Sequence, residues 1–438
     1  MTASKSSVKW NSAHNFCPER LIELALLMLC LHCPSVQLEN PSDPHNVLDE
    51  AVVAALETIH HIPPPEAHMS TPELIRHNNY PVEEHFVVTE DGYNLTMFRI
   101  PRGKQGKPGG GEPVIIQHAL LCSSDDWLLI LPNSEDNLPY VLADAGYDVW
   151  ITNSRGNNYS MKHLTLSPDS LAFWNFSFHE MGIYDTPSFI YYILETTGKS
   201  QLSYVGHSMG CSMFFIAMIR HPYLQSKVRK MVALAPATYF MGTNSPAAIV
   251  LALVPSPILQ MLLDTFKQGR VLASGVNKWL NDNGPSLCSG TIPADMCMNL
   301  IFFIVGYDFK QTTNYSASMI LGHTPSETSA KTLVHFVQLV KQDSFQEFDY
   351  GFLGNLQRYG TLFPPKYNLT ENNVATFVMW GLNDWLVKPT SAARNIHELG
   401  NVTRSEAVKD KWFNHLDFMY AKNAKEMVYD HCLEYLAD

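Results

Sequence analysis

Apolar and polar positions alternate through "EEHFVVTEDGYNLTMFRIPRG" (83–103) around an Asp91-Gly92 pair, a pattern that predicts two antiparallel strands joined by a tight turn. The runs "PVIIQHAL" (113–120), "YDVWITNSRG" (147–156) and "QLSYVGHS" (201–208) are short, rich in β-branched and aromatic residues, and end in Gly or polar residues. Helix-length segments separate them. That spacing predicts βαβ units and a parallel sheet. "MVALAPATYF" (231–240) reads as a further buried strand, after which the pattern changes. From 241 to 363 the apolar positions follow helical spacing, as in "AAIVLALVPSPILQMLLDTF" and "MNLIFFIVGYD", until a strand returns as "VATFVMWG" (374–381). The expected class is therefore α/β: a mostly parallel sheet flanked by helices, its first part at 67–240, a helical cap inserted at 241–363, and the rest of the core at 364–438. A chain of 438 residues fits one large domain with such an insertion as well as it fits two domains.

Upstream, 36–66 carries "NPSDPH" and "IPPPEAH" and reads as a linker or pro-segment. Before it, Lys5, Lys9 and Arg20 precede the apolar run "LALLMLCL" (24–31). As a helix that run rises only about 12 Å, far short of a bilayer core of about 30 Å, so residues 1–35 read as a secretory signal peptide and not as a transmembrane anchor. A buried helix of the folded domain is the other reading. The sequons at Asn94, Asn158, Asn175, Asn314, Asn368 and Asn401 are candidate glycosylation sites and agree with secretion. Past Ser35 the cysteines are Cys122, Cys211, Cys288, Cys297 and Cys432. Cys288 and Cys297 close a short loop and are the pair to bridge in an oxidising compartment; the other three read as buried thiols. No CxxC or Cys/His spacing suggests a metal site. A net charge of −12 argues against nucleic acid as a partner, and 46% hydrophobic against 16% charged residues leans towards apolar surface or a large apolar site.

The chemistry concentrates at "YVGHSMG" (204–210), where a strand runs into Gly-x-Ser-x-Gly and then into the helical pattern "CSMFFIAMIR". Such a strand-to-helix turn presents its serine at the edge of a sheet, with glycines where a Cβ would block the close approach of backbone. Ser208 is the candidate nucleophile. A serine hydroxyl needs a base to take its proton and donors for the oxyanion it creates. The N–H of Met209 is one donor, and the N–H of Leu120, after the strand ending at His118-Ala119, is the other. In the hydrolase arrangement acid and base follow the serine in the chain. Asp384, in the loop after "VATFVMWG", is preferred over Asp349, which no sheet edge fixes. His415, in "DKWFNHLDFMY", is preferred over His397 and His431, which lie in helical patterns; Asp417 is too near His415 in sequence to reach behind its ring. "NSRGN" (153–157) reads as a strand-end turn in which Arg155 ties loops together. No cofactor is required.

Taken together, "NYPVEEHFVVTEDGY", "NSRGNNYSMKH", "FWNFSFHEMGIYDTPSFI", "GHSMG", "GLNDWL" and "NHLDF" resemble the acid lipase family of α/β-hydrolases, which includes gastric and lysosomal lipases, over about residues 70–435. The resemblance implies the α/β-hydrolase fold, a Ser208, Asp384, His415 triad, oxyanion amides at Leu120 and Met209, a cap between strands and a disulfide matching Cys288 and Cys297. It also implies neutral lipid esters, triacylglycerol or steryl ester, as substrates, and a secreted or lysosomal protein. The family usually has His-Gly where this chain has His118-Ala119, and Gln where it has Met209; a methyl at Ala119 tightens the loop if that residue needs positive φ. The cap stretches 247–263 and 298–305 are candidates for transient contact with a lipid surface, against the reading in which they bury one another. A carboxylesterase for smaller soluble esters is the neighbouring alternative within enzymes. An inactive lipid-binding or storage relative is the alternative outside them.

Overall fold

The hairpin strands β1 (Glu83–Val88) and β2 (Tyr93–Ile100) pair antiparallel from Glu83↔Arg99 to Val88↔Asn94, and the Gly92 N–H donates to the Thr89 carbonyl to close the turn. Gly92 takes φ +98, which explains a glycine after Asp91. These features come from a computed structural model that describes residues 63–106, 110–130, 132–272, 275–291, 294–313 and 315–438. The expected signal peptide, most of the expected linker and the sequon Asn314 lie outside the described residues.

β2 also pairs antiparallel with β4 (Asp148–Thr152). From there the sheet is parallel through β3 (Pro113–Gln117), β6 (Leu202–His207), β7 (Val228–Leu234), β8 (Ala375–Trp380) and β9 (Val402–Ala407), in the order β1-β2-β4-β3-β6-β7-β8-β9. A two-residue strand, β5 (Lys162–His163), pairs with β2. This is the α/β-hydrolase arrangement. β3, β4 and β6 are buried along their whole length, as strands covered on both faces must be. The two-residue period then sorts their side chains: Val114 and Ile116 join one apolar core, with Val205, Val232 and Leu234, while Ile115 joins the other, with Tyr204, Met231 and Ala233.

The observed strands differ from the sequence reading in two places. The run expected as a strand at 231–240 pairs only at Val228–Leu234; Ala235 turns to φ 45 and Pro236 has no N–H to continue the ladder. β9, "VTRSEA", escapes a search for apolar alternation because it is a half-exposed edge strand. Between β7 and β8 the chain runs through helices that include Pro246–Leu253, Ser256–Lys267, Val276–Ser286, Ala294–Val305, Ser316–His323, Ala330–Gln342 and Gly351–Tyr359. The Cys288–Cys297 disulfide lies within this stretch, whereas Cys122, Cys211 and Cys432 are buried free thiols.

Arg155 ties the hairpin turn to the segment that leads into helix Thr186–Thr197. Its side chain is 1% exposed. Its guanidinium reaches both oxygens of Asp91, at 2.5 and 2.9 Å, and its Nε donates to Asp185 Oδ1 at 2.8 Å. The ring of Tyr93 covers it, 4.0 Å from centroid to Cζ. Removing one member of a buried ion network leaves its partners uncompensated, so Arg155→Met should destabilise the fold by about 3–5 kcal/mol in urea unfolding. Arg155→Lys should restore only part of this, since an ammonium lacks the fork that engages both carboxylates.

Candidate active site

β6 is buried through His207, and the chain turns sharply at Ser208, whose φ 53 and ψ −112 are strained for any residue other than glycine. Helix Met209–Arg220 starts at the next residue. The turn is held by the Ser208 N–H donating to the Leu234 carbonyl of β7 at 2.9 Å. It is also crowded. A Cβ on Gly206 would stand 2.9 Å from the Gly210 carbonyl carbon, and one on Gly210 would stand 2.8 Å from the Gln117 carbonyl oxygen. Glycines at both places let the helix start press against the ends of β6 and β3, which is the physical content of the Gly-x-Ser-x-Gly spacing.

The Ser208 hydroxyl lies 2.8 Å from His415 Nε2, although the two residues are 207 positions apart. On the other side of the ring, Nδ1 lies 2.6 Å from Asp384 Oδ2. Since the carboxylate only accepts, Nδ1 carries the proton and Nε2 is free to accept from the serine. Asp384 is fixed in turn: its Oδ1 accepts from the N–H groups of Leu386, at 2.9 Å, and Val387, at 2.8 Å. Asp384 and His415 are nearly fully buried, and Ser208 is 7% exposed, so the chain of hydrogen bonds is largely shielded from water, which strengthens it.

Other groups support the loop that carries His415. His207 donates from Nε2 to the His415 carbonyl at 2.8 Å, its ring 4.9 Å from that of His415. Burial holds His207 well below the usual imidazole pKa, so it stays neutral beside the His415 ring. Asn414 accepts from the N–H groups of Leu416 and Asp417 and donates to the Gly306 carbonyl. Asp417 accepts from the Asn414 N–H at 2.6 Å, and burial pushes its carboxyl well up. It braces the turn and does not touch the His415 ring. The sequence reading set Asp417 aside for its spacing and overlooked His207 and Asn414. Their signal was present: polar residues flanking the nucleophile and base in stretches that are otherwise apolar.

The backbone N–H groups of Leu120 and Met209 donate to no acceptor among the described residues. Met209 is the first residue of its helix, where no intrahelical acceptor exists. Ala119 is not among the residues at positive φ; Leu121 is, at φ 61, so the methyl of Ala119 meets no backbone penalty. The competing residues lie elsewhere. His397 is exposed on helix Pro389–Glu398, and His431 pairs with Glu406 at 2.9 Å. Asp349 accepts from the Gly351 N–H and Asn355 at the start of helix Gly351–Tyr359. Among the described residues no group of three or more His, Cys, Asp or Glu could hold a metal ion.

Two family models match the chain: a partial alpha/beta-hydrolase lipase region over residues 71–131 and the alpha/beta hydrolase fold over residues 112–279. Lipase 1 of Drosophila melanogaster is 38% identical over 369 residues, covering 84% of this chain and 80% of its own length. Gastric triacylglycerol lipase of Homo sapiens is 36% identical over 397 residues, 89% of this chain and 97% of the relative. Lysosomal acid lipase/cholesteryl ester hydrolase of Homo sapiens is 36% identical over 370 residues, 84% of this chain and 90% of the relative. A serine at a strained strand-to-helix turn on a mostly parallel sheet, within a chain this similar along most of its length to gastric and lysosomal lipases, belongs to the acid lipase family of α/β-hydrolases, and the protein is an ester hydrolase of that family.

Proposed function

We propose that the protein hydrolyses carboxylic esters of neutral lipids, triacylglycerol or steryl ester, through a Ser208, His415, Asp384 triad and an acyl-enzyme. The observation that carries this reading is the unbroken relay from Ser208 Oγ through His415 to Asp384, at 2.8 and 2.6 Å. His415 Nε2 takes the hydroxyl proton as Oγ attacks the ester carbonyl carbon. Asp384 holds the tautomer and stabilises the imidazolium, while the Leu120 and Met209 amides receive the developing oxyanion. The imidazolium then gives its proton to the departing alcohol as the C–O bond breaks. Water, deprotonated by His415, attacks the acyl-serine, and collapse of the second tetrahedral intermediate releases the acid and restores the serine.

The substrate class rests on the relatives named for triacylglycerol and cholesteryl ester hydrolysis and on the apolar surface between β7 and β8. Helices Pro246–Leu253 and Ser256–Lys267 turn Val250, Leu253, Met261 and Phe266 outward, Leu253 being 78% exposed. An apolar surface of this kind suits a lipid aggregate. The stretch 298–305 is two-sided: Met298, Phe302 and Val305 are buried against the core while Ile304 is 40% exposed, so the packing reading holds for one face of that helix. We assign 241–363 as a cap whose helices Pro246–Leu253 and Ser256–Lys267 meet the lipid. Among the described residues no single helix is long and apolar enough to cross a membrane. Secretion or delivery to lysosomes accords with the relatives and with the exposed sequons Asn158, Asn175 and Asn368; Asn94 and Asn401 are half-buried.

Ser208→Ala should lower kcat on both an emulsified long-chain triacylglycerol and a soluble short-chain ester by roughly 10⁴–10⁶-fold, and Asp384→Asn by about 10⁴-fold. Equal turnover by wild type and Ser208→Ala overturns the mechanism, and wild-type preference for the soluble ester overturns the substrate class. Replacing Leu253 and Met261 together by Ser should reduce hydrolysis of the emulsion several-fold while leaving the soluble ester unaffected, as read in parallel initial-rate assays.

A further inference from the structure

β3 ends at Gln117, and the next residue, His118, is 1% exposed. Its two ring nitrogens have unlike partners. Nδ1 lies 2.7 Å from the Ala119 carbonyl oxygen, whereas Nε2 lies 3.1 Å from the Ser154 backbone nitrogen and 3.3 Å from Asn157 Nδ2. A carbonyl can only accept, and a backbone N–H can only donate. Nδ1 therefore carries the proton and Nε2 is a bare acceptor. An imidazolium here would turn a second N–H against two donors. Burial agrees with this, lowering the pKa of His118 to about 4. The carboxylate that acts on it, Asp125, is itself engaged by the Thr71 hydroxyl, the Tyr159 hydroxyl and His323 Nδ1, the last at 3.3 Å.

The consequence lies in the peptide that follows. In a trans peptide the C=O and N–H bonds point in opposite directions, so a carbonyl anchored on one side aims the next N–H to the other. The Ala119 carbonyl is held by His118 Nδ1 and, at 3.4 Å, by the Cys122 N–H. The Leu120 N–H therefore points away from the His118 ring, and it meets no acceptor among the described residues. The nucleophile turn sits against the same strand end: a Cβ on Gly210 would stand 3.1 Å from the His118 carbonyl oxygen.

We propose that His118 is a positioning residue for the oxyanion donor: its Nδ1–H bond to the Ala119 oxygen locks the 119–120 peptide so that the Leu120 N–H faces Ser208. The proposal rests on the reading of Leu120 as an oxyanion donor. A neutral ring is essential to it, because protonation at Nε2 repels Ser154 and Asn157 and loosens the anchor. Below about pH 4 the working enzyme thus loses the neutral His118 ring on which this anchor depends.

Three full-length variants test this with a soluble short-chain ester. Asn places an amide N–H where Nδ1–H stands and does not titrate; Leu keeps bulk and removes the donor. His118→Leu should lower kcat at least about ten-fold with KM changed by less than about two-fold, because the lost contact acts only in the transition state. His118→Asn should recover most of that loss. On the acid side the wild-type log kcat should steepen below about pH 4, whereas His118→Asn keeps a single slope. Wild-type kcat in His118→Leu, a His118→Asn variant as slow as His118→Leu, or steepening that persists in His118→Asn would each overturn the proposal. If His118→Leu does not fold, the rate and acid limb of His118→Asn decide it. Failure of the underlying mechanism shows separately, as turnover retained in Ser208→Ala.

Discussion

The constraint on which this structure depends is the close approach of one helix start to two strand ends. Ser208 cannot hold its strained backbone unless Gly206 and Gly210 leave room for the turn and the Leu234 carbonyl accepts its N–H. Once that turn is imposed, much else follows. The serine hydroxyl projects from the sheet edge, the Met209 amide is left without an acceptor among the described residues, and the end of β3 is pressed against the same point. Strain of order 1–3 kcal/mol at such a residue persists because the buried strands on either side over-determine it.

The rest of the site is built from loops that share this sheet edge, and their rigidity comes from buried polar groups with assigned partners. Asp384 is pinned by two backbone amides, the carbonyl of His415 by His207, and the turn after His415 by Asn414 and Asp417. Groups this deep would be costly if left unpaired, and satisfied they specify one geometry. His207 and His118 share a further property: both rings stay neutral because burial disfavours the cation, so each can donate at one nitrogen to a carbonyl.

Much of the architecture was legible in the sequence because β3, β4 and β6 are apolar, short and regularly spaced, and because the turn that exposes Ser208 demands glycines at fixed positions. Asp384 and His415 could be singled out by their places after a strand and before a helix, and the structure brings both to Ser208. What escaped is equally physical. β9 is half-exposed and polar, so it lacks an alternating signature, and the strand expected to run to 240 stops where Ala235 turns and Pro236 cannot pair. The roles of His118, His207 and Asn414 depend on which backbone group lies opposite each side chain, and no local pattern encodes that. Arg155 could be read as a tie between loops, but its partners Asp91 and Asp185 emerge only once the hairpin has folded against the sheet.

β7 and β8 are hydrogen-bonded neighbours, yet the chain between them runs through the whole series of helices from Pro246 to Tyr359. The two ends of that excursion are clamped side by side by the ladder itself. Lengthening a tethered segment costs only about 0.6 kcal/mol per doubling, so closing the ladder sets little entropic limit on the length of the excursion. Length is therefore cheap while position is not: Met298, Phe302 and Ile320 share an apolar core with the sheet and the Gly306 carbonyl anchors Asn414, so the helices are fastened to the platform at a few points and left free to vary between them.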